Sequence, residues 1–141
     1  MERKIIGGVR GTDVSAPSTL GKKLLDSKHG LYANARSAFF TVASLLELKR
    51  IWLPSFLCDT ILIPFELLGI DCQFYAVDAS LQPDLEDCAL AEGDAVCVIS
   101  YFGFSHKDAI YEHLSSCGVI IIEDLCQAFY QEPHPLADFS V

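Results

Sequence analysis

Glu123 and Asp124 stand directly behind the run Val119-Ile120-Ile121-Ile122, and Gln127 follows the second acid by three positions. Two carboxylates and an amide so spaced could accept a proton, hold a cationic nitrogen or orient a polar ring. The aliphatic run ahead of them suits a strand buried on both faces of a parallel sheet. Acids leaving the carboxyl end of such a strand lie where open α/β sheets bind their ligands. Taken alone, the same acids equally suit solvated residues at a strand end.

A second piece with chemical potential is Tyr32-Ala33-Asn34-Ala35-Arg36-Ser37-Ala38, in which small residues lead into a helix. Small side chains let backbone N–H groups approach an anion, and the helix dipole favours a phosphate there. Many helices start after small residues with no ligand involved. His106 and His113, seven apart, suit one helix face as surface or half-buried residues. Tyr101-Phe102-Gly103-Phe104 suits either a pocket wall or an aromatic strand end in the core. G-x-S-x-G, G-x-G-x-x-G and P-loop motifs are absent.

The elements that would carry these residues alternate. Apolar positions from Ser37 to Lys49 suit a helix, Ile51 to Pro54 a short strand, and Asp59 to Leu68 a helix in which Pro64 demands an early position. Cys72 to Val77 reads as a strand, and Pro83 to Asp87 as a first helical turn with its acids at the positive end. Ala95 to Tyr101 is a strand, His106 to Ser116 a helix stopped at Cys117-Gly118, and Val119 to Ile122 the last strand. Residues 1–30 read as a lead-in segment, apart from one or two helical turns between Leu20 and Leu25. Residues 31–141 form the folded part. The alternation predicts an α/β fold: three layers, a mostly parallel sheet with helices on both faces.

The chain has 141 residues, enough for one domain with a real core, and 51% of them are hydrophobic. Buried parallel strands account for that content. The apolar runs break within about ten residues, short of the roughly 20 that a membrane span needs. The start lacks the apolar core of a signal peptide, so a cytoplasmic location is expected. A net charge of −9 without a basic stripe argues against a nucleic-acid surface. The six cysteines include no C-x-x-C pair, and most lie in apolar runs. They read as small buried hydrophobes and not as metal ligands or disulfides.

Together with Leu53-Pro54-Ser55-Phe56-Leu57-Cys58, Phe74-Tyr75-Ala76-Val77-Asp78 and Ser100-Tyr101-Phe102-Gly103-Phe104, the two pieces resemble a known family. Their order and spacing are similar to the large domain of fold-type-I pyridoxal-phosphate enzymes, and most of all to the sugar aminotransferases of the DegT/DnrJ/EryC1/StrS group. The resemblance implies pyridoxal phosphate as cofactor, with Asp124 against the pyridine nitrogen and Gln127 against the ring hydroxyl. It implies that the amides of Ala35 and Arg36 hold the phosphate, with Ala35 in place of a usual glycine. Cys58 stands where many members carry an aromatic residue stacked on the ring.

The family's Schiff-base lysine follows the Asp-Phe-Ser-Val piece, and Val141 ends this sequence before it. The resemblance therefore implies an incomplete aminotransferase large domain, with no catalytic lysine and no activity alone. Two alternatives stand beside it: a non-enzymatic interaction module built on the truncated fold, and an enzyme acting on a nucleotide-linked keto sugar once another polypeptide completes it. In the family's sheet the neighbours of the 119–122 strand come from later sequence. Its edge is therefore expected to be open, covered either by the first strand near Leu31 or by a second copy in a homo-oligomer.

Overall fold

The computed structural model describes residues 4–8, 29–128 and 130–141. Along the chain these form β1 (Lys4–Gly8), β2 (His29–Tyr32), α1 (Ala35–Leu45), β3 (Arg50–Pro54), α2 (Ile63–Leu67), β4 (Asp71–Val77) and β5 (Pro83–Asp84). Then come β6 (Ala95–Ile99), α3 (Asp108–Ser116), β7 (Ile120–Asp124) and β8 (Phe139–Ser140). Short 3₁₀ turns occupy Asp59–Ile61 and Tyr101–Gly103. The eight strands make one sheet in the order β2-β1-β8-β7-β6-β3-β4-β5. Every pairing is parallel except that of β4 with β5. No helix among the described residues is long and apolar enough to cross a membrane.

Period-two alternation distributes the core over two faces. Ile51, Leu53, Ala95, Cys97, Ile99 and Ile122 pack under α1 and α2 with Phe39, Val42 and Phe65. Trp52, Tyr75, Val96, Val98 and Ile121 pack on the other face with Tyr111 and Leu114 of α3. Successive side chains of a strand point to opposite sides, so helices on both faces require strands that are apolar throughout. β6, with the sequence AVCVI, is buried at every position. The expected three-layer α/β architecture is the observed one. Phe39 of α1 meets Phe65 of α2 edge-on, with ring centroids 5.7 Å apart, which ties the two helices together over the sheet.

Several expectations are corrected. Lys4–Gly8, assigned to a lead-in, is a strand between β2 and β8; its β-branched Ile5-Ile6 pair favours extended backbone. The helical turns expected between Leu20 and Leu25 lie outside the described residues. The open edge expected beside 119–122 is filled: β8 pairs with β7 at Ile122 and Glu123, and β1 follows β8. Asp138 fixes this return, its amide donating to the Ile121 carbonyl at 2.9 Å and its carboxylate accepting from the Ile121 amide at 2.9 Å.

Pro83–Asp84 is extended and antiparallel to β4, not helical. Asp78 bends the chain there by accepting from the amides of Ser80 and Gln82 at 2.7 and 2.9 Å, which turns it back along β4. His106 precedes the helix and is buried, so it shares no face with His113. Of the cysteines only Cys97 is fully buried; Cys58 and Cys126 are exposed because each sits in the turn beyond a strand. None of the six is paired.

Phe39 is fully buried whereas Leu45, on the same helix, is 72% exposed. Phe39→Ala is expected to cost about 3–5 kcal/mol and Leu45→Ala to stay within about 0.5 kcal/mol, as read from urea titration.

Candidate functional site

Because β1, β2, β3, β6, β7 and β8 run parallel, their carboxyl ends form one rim. The chain leaves β2 at that rim and enters α1 at once. Asn34 stops the strand and caps the helix, its Oδ1 accepting from the Ser37 amide at 3.0 Å. The Ala38 amide bonds to the Asn34 carbonyl at 3.4 Å. The amides of Ala35 and Arg36, at the positive end of the helix, donate to no described residue. The Arg36 side chain is exposed and makes no ion pair with a described residue.

On the same rim β7 ends in the two acids, and the pleat sends them to opposite faces. Asp124 faces α1; Glu123 faces α3. Ala35, Arg36, Cys58, Asp124 and Gln127, the five residues singled out in the sequence, all line one cavity of about 210 Å³. Thr60, Tyr101 and Cys126 complete its polar wall, and Phe39, Leu57, Ile61 and Ile99 its apolar floor. None of the described lining residues is a lysine. A larger depression of about 460 Å³, between residues 83–90 and α3, has a mostly apolar wall and includes none of the five.

The electrostatics of the cavity are uneven. Asp124 is 7% exposed. Its burial raises the carboxyl above the ordinary 3.8, while hydrogen bonds from the Cys126 amide (2.9 Å) and thiol pull it back. Although Cys126 as a residue is exposed, its thiol is turned inward against Asp124, and the desolvation there, with the neighbouring carboxylate, pushes it up to about 12. Cys58, on the opposite wall, moves the other way. Its Sγ lies 3.2 Å from Thr60 Oγ1, and the hydrogen bonds to Thr60 lower its pKa, with Arg36 a minor contributor. Gln127 accepts the Phe102 amide on Oε1 at 2.9 Å. That bond leaves its NH₂ as the group free to donate. Phe102 pays for that geometry with a left-handed backbone, φ 53°. Tyr101 donates its hydroxyl to the Phe56 carbonyl, and burial raises its pKa.

An acceptor carboxylate, an amide donor, two backbone N–H groups and a guanidinium around an apolar floor suit a flat, polar ligand that carries an anion. No group of histidine, cysteine and acid side chains among the described residues is arranged to hold a metal ion. Sequence reading missed Thr60, for which no signal exists. Tyr101 and Cys126 lay inside pieces already singled out and could have been included.

No protein-family model and no curated protein matches the sequence. Solved structures do match. The sugar aminotransferase CalS13 from Micromonospora echinospora aligns at 17% identity and a TM-score of 0.56, over 67% of this chain and 30% of that one. Tyrosine aminotransferase from Leishmania infantum aligns at 18% identity and 0.52, over 64% and 28%. Alanine aminotransferase from Pyrococcus furiosus aligns at 16% and 0.50, over 68% and 30%. The chain spans less than a third of the length of each. Its α/β fold, with a mostly parallel sheet, resembles part of these aminotransferases.

Stability should report the buried acid. A carboxyl whose folded pKa is raised favours folding while protonated. That contribution is present below the unfolded value near 3.8 and is lost as pH rises through the folded value. Asp124→Asn keeps the shape and the acceptor for Cys126 without the charge. Its urea midpoint is expected to exceed that of the parent protein at pH 7, and the difference to vanish below pH 3.8.

Proposed function

We propose that this chain holds pyridoxal phosphate without a covalent bond, in the cavity between α1 and the end of β7, and does not turn it over alone. The observation that carries the reading is the convergence of Ala35, Arg36, Cys58, Asp124 and Gln127 on a single cavity at the carboxyl rim. The donor set fits the group. The amides of Ala35 and Arg36, at the start of α1, would take its phosphate. Asp124 would accept from the pyridine nitrogen and keep it protonated. Gln127 would donate from its NH₂ to the ring oxygen, because Phe102 already occupies its carbonyl. Cys58 would lie against the ring, offering a small polarisable surface where stacking would need an aromatic side chain.

The bound group supplies a protonated ring that draws electrons away from a carbon attached at its aldehyde. Transamination also needs an amine to carry protons, and the described residues of the cavity wall include no lysine. Action on a nucleotide-linked keto sugar, the activity implied by the sequence resemblance, would need an amine beyond the described cavity residues.

Titrating pyridoxal phosphate into the protein, followed by absorbance and equilibrium dialysis, tests this. Saturable binding is expected, displaced by inorganic phosphate and weakened about tenfold by Asp124→Asn, which exchanges a charge-assisted hydrogen bond for a neutral one. Since that variant is expected to fold more stably at neutral pH, lost binding would not reflect unfolding. Equal binding by both proteins would overturn the reading.

A second reading is favoured by a different observation. Phe40 and Leu45 of α1 and Ile63 and Leu67 of α2 are 39%, 72%, 45% and 74% exposed, on two helices that pack together. Apolar side chains concentrated on adjacent helices suit a contact surface. A homo-oligomer joined through these helices replaces the one expected through an open sheet edge. Sedimentation at micromolar protein should show a species larger than the monomer, reduced to monomer by Leu45→Glu with Leu67→Glu.

A further inference from the structure

The second acid of the pair has no place in the cavity, yet it is the more deeply buried. Glu123 is 1% exposed and lies on the α3 face. Both its oxygens are engaged: Oε1 accepts the Tyr111 hydroxyl at 2.7 Å and Oε2 accepts the His134 amide at 2.8 Å. His134 stacks flat on Tyr111, with centroids 3.7 Å apart and planes 9° from parallel. Its Nδ1 accepts the Leu136 amide at 3.1 Å, which leaves Nε2 to face Asp108 Oδ1 at 3.5 Å. Pro133 and Pro135 flank His134 and carry no N–H. The one amide hydrogen in Pro133-His134-Pro135 therefore goes to Glu123.

The segment that these contacts hold, described at residues 125–128 and 130–138, carries Cys126 and Gln127 at its near end. Its near end is fastened by the Leu125 amide to the Val141 carbonyl at 2.8 Å and by the Cys126 amide to Asp124. Its middle is fastened by Gln131, whose Nε2 donates to Ser105 Oγ at 2.7 Å. Its far end is fastened by Asp138 to Ile121. Between those points the His134 amide turns inward to Glu123. Glu123 is the interior anchor, reaching from the strand through the sheet's far face to the loop.

We infer that Glu123 is a positioning residue for the cavity: by clasping His134 and Tyr111 on one face of the sheet, it sets the loop that presents Gln127 and Cys126 on the other. The role in ligand binding rests on the reading of the cavity proposed above; the clasp itself does not. Neighbouring residues on β7 thus divide the labour. Asp124 faces the ligand, and Glu123 fixes the path of the chain that follows. A carboxylate suits the task because it offers two acceptors to two donors, whereas an amide must turn an N–H toward one of them.

Hydrogen exchange on the full chain, comparing the parent protein with Glu123→Gln, tests the clasp. The amides of Cys126, Ala128, Gln131 and His134 should exchange about tenfold faster, while those of Val96 and Val98 in β6 keep their rates. Acceleration of all these amides together would mean that Glu123 supports only global stability, and no acceleration would mean no clasp; either overturns the inference. Tyr111→Phe removes one donor and leaves the His134 bond. It carries the same expectation at about threefold and decides the matter if Glu123→Gln does not fold. Pyridoxal-phosphate affinity measured alongside should fall about tenfold in Glu123→Gln. A parent protein that binds none would sink the reading of the cavity and leave the exchange data to judge the clasp.

Discussion

Alternation along β7 is the constraint on which the rest depends. Consecutive residues of a strand cannot share a face, so the adjacent acids at 123 and 124 must lie on opposite sides of the sheet. One then faces the cavity beneath α1, and the other is locked into the core beneath α3. The register with β6 pairs Val98 with Glu123 and Ile99 with Asp124. It puts both acids at the carboxyl rim, Asp124 sharing a cavity with the capped start of α1. A slip of one residue would exchange their environments, leaving a carboxylate under α3 without its donors and another facing the cavity without Cys126.

The rim is also where ordinary rules of stability are relaxed. Asp124 is buried with hydrogen bonds from Cys126 but no cation among the described residues, and Phe102 adopts a left-handed backbone that side chains other than glycine avoid. Both features touch the cavity or the group that lines it. Local strain and desolvated charge gather at sites that present groups to a ligand, and the surrounding packing must offset them. Here the offset comes from β3, β6 and β7, whose residues fill both faces of the sheet.

The likeness to aminotransferases is one of fold, at under a fifth of residues identical and under a third of those proteins' length. In this chain the sheet is open, with β2 and β5 at its edges and β7 in its interior. β8 and β1 lie between β7 and β2, so the apolar strand that carries the acids is flanked on both sides. That flanking spares β7 the aggregation-prone edge that an unpaired strand would present.

Much of this was legible in the residues. The run Val119–Ile122 announced a doubly buried strand, the alternation of apolar segments announced helices on both faces, and Ala35, Arg36, Cys58, Asp124 and Gln127 could be named as a set. Local pattern carries such information because strand and helix periods differ and because turn residues punctuate them. The extended path of Pro83–Asp84 was not legible, since it follows from the Asp78 turn folding the chain back on β4. The place of Lys4–Gly8 was not legible either, since a short strand finds its neighbours only through pairing with distant sequence. By itself the sequence determined which residues could do chemistry and the class of scaffold beneath them. Only the tertiary structure decided that Glu123 and Asp124 have separate tasks, because which face of a sheet meets which helix is set by long-range packing.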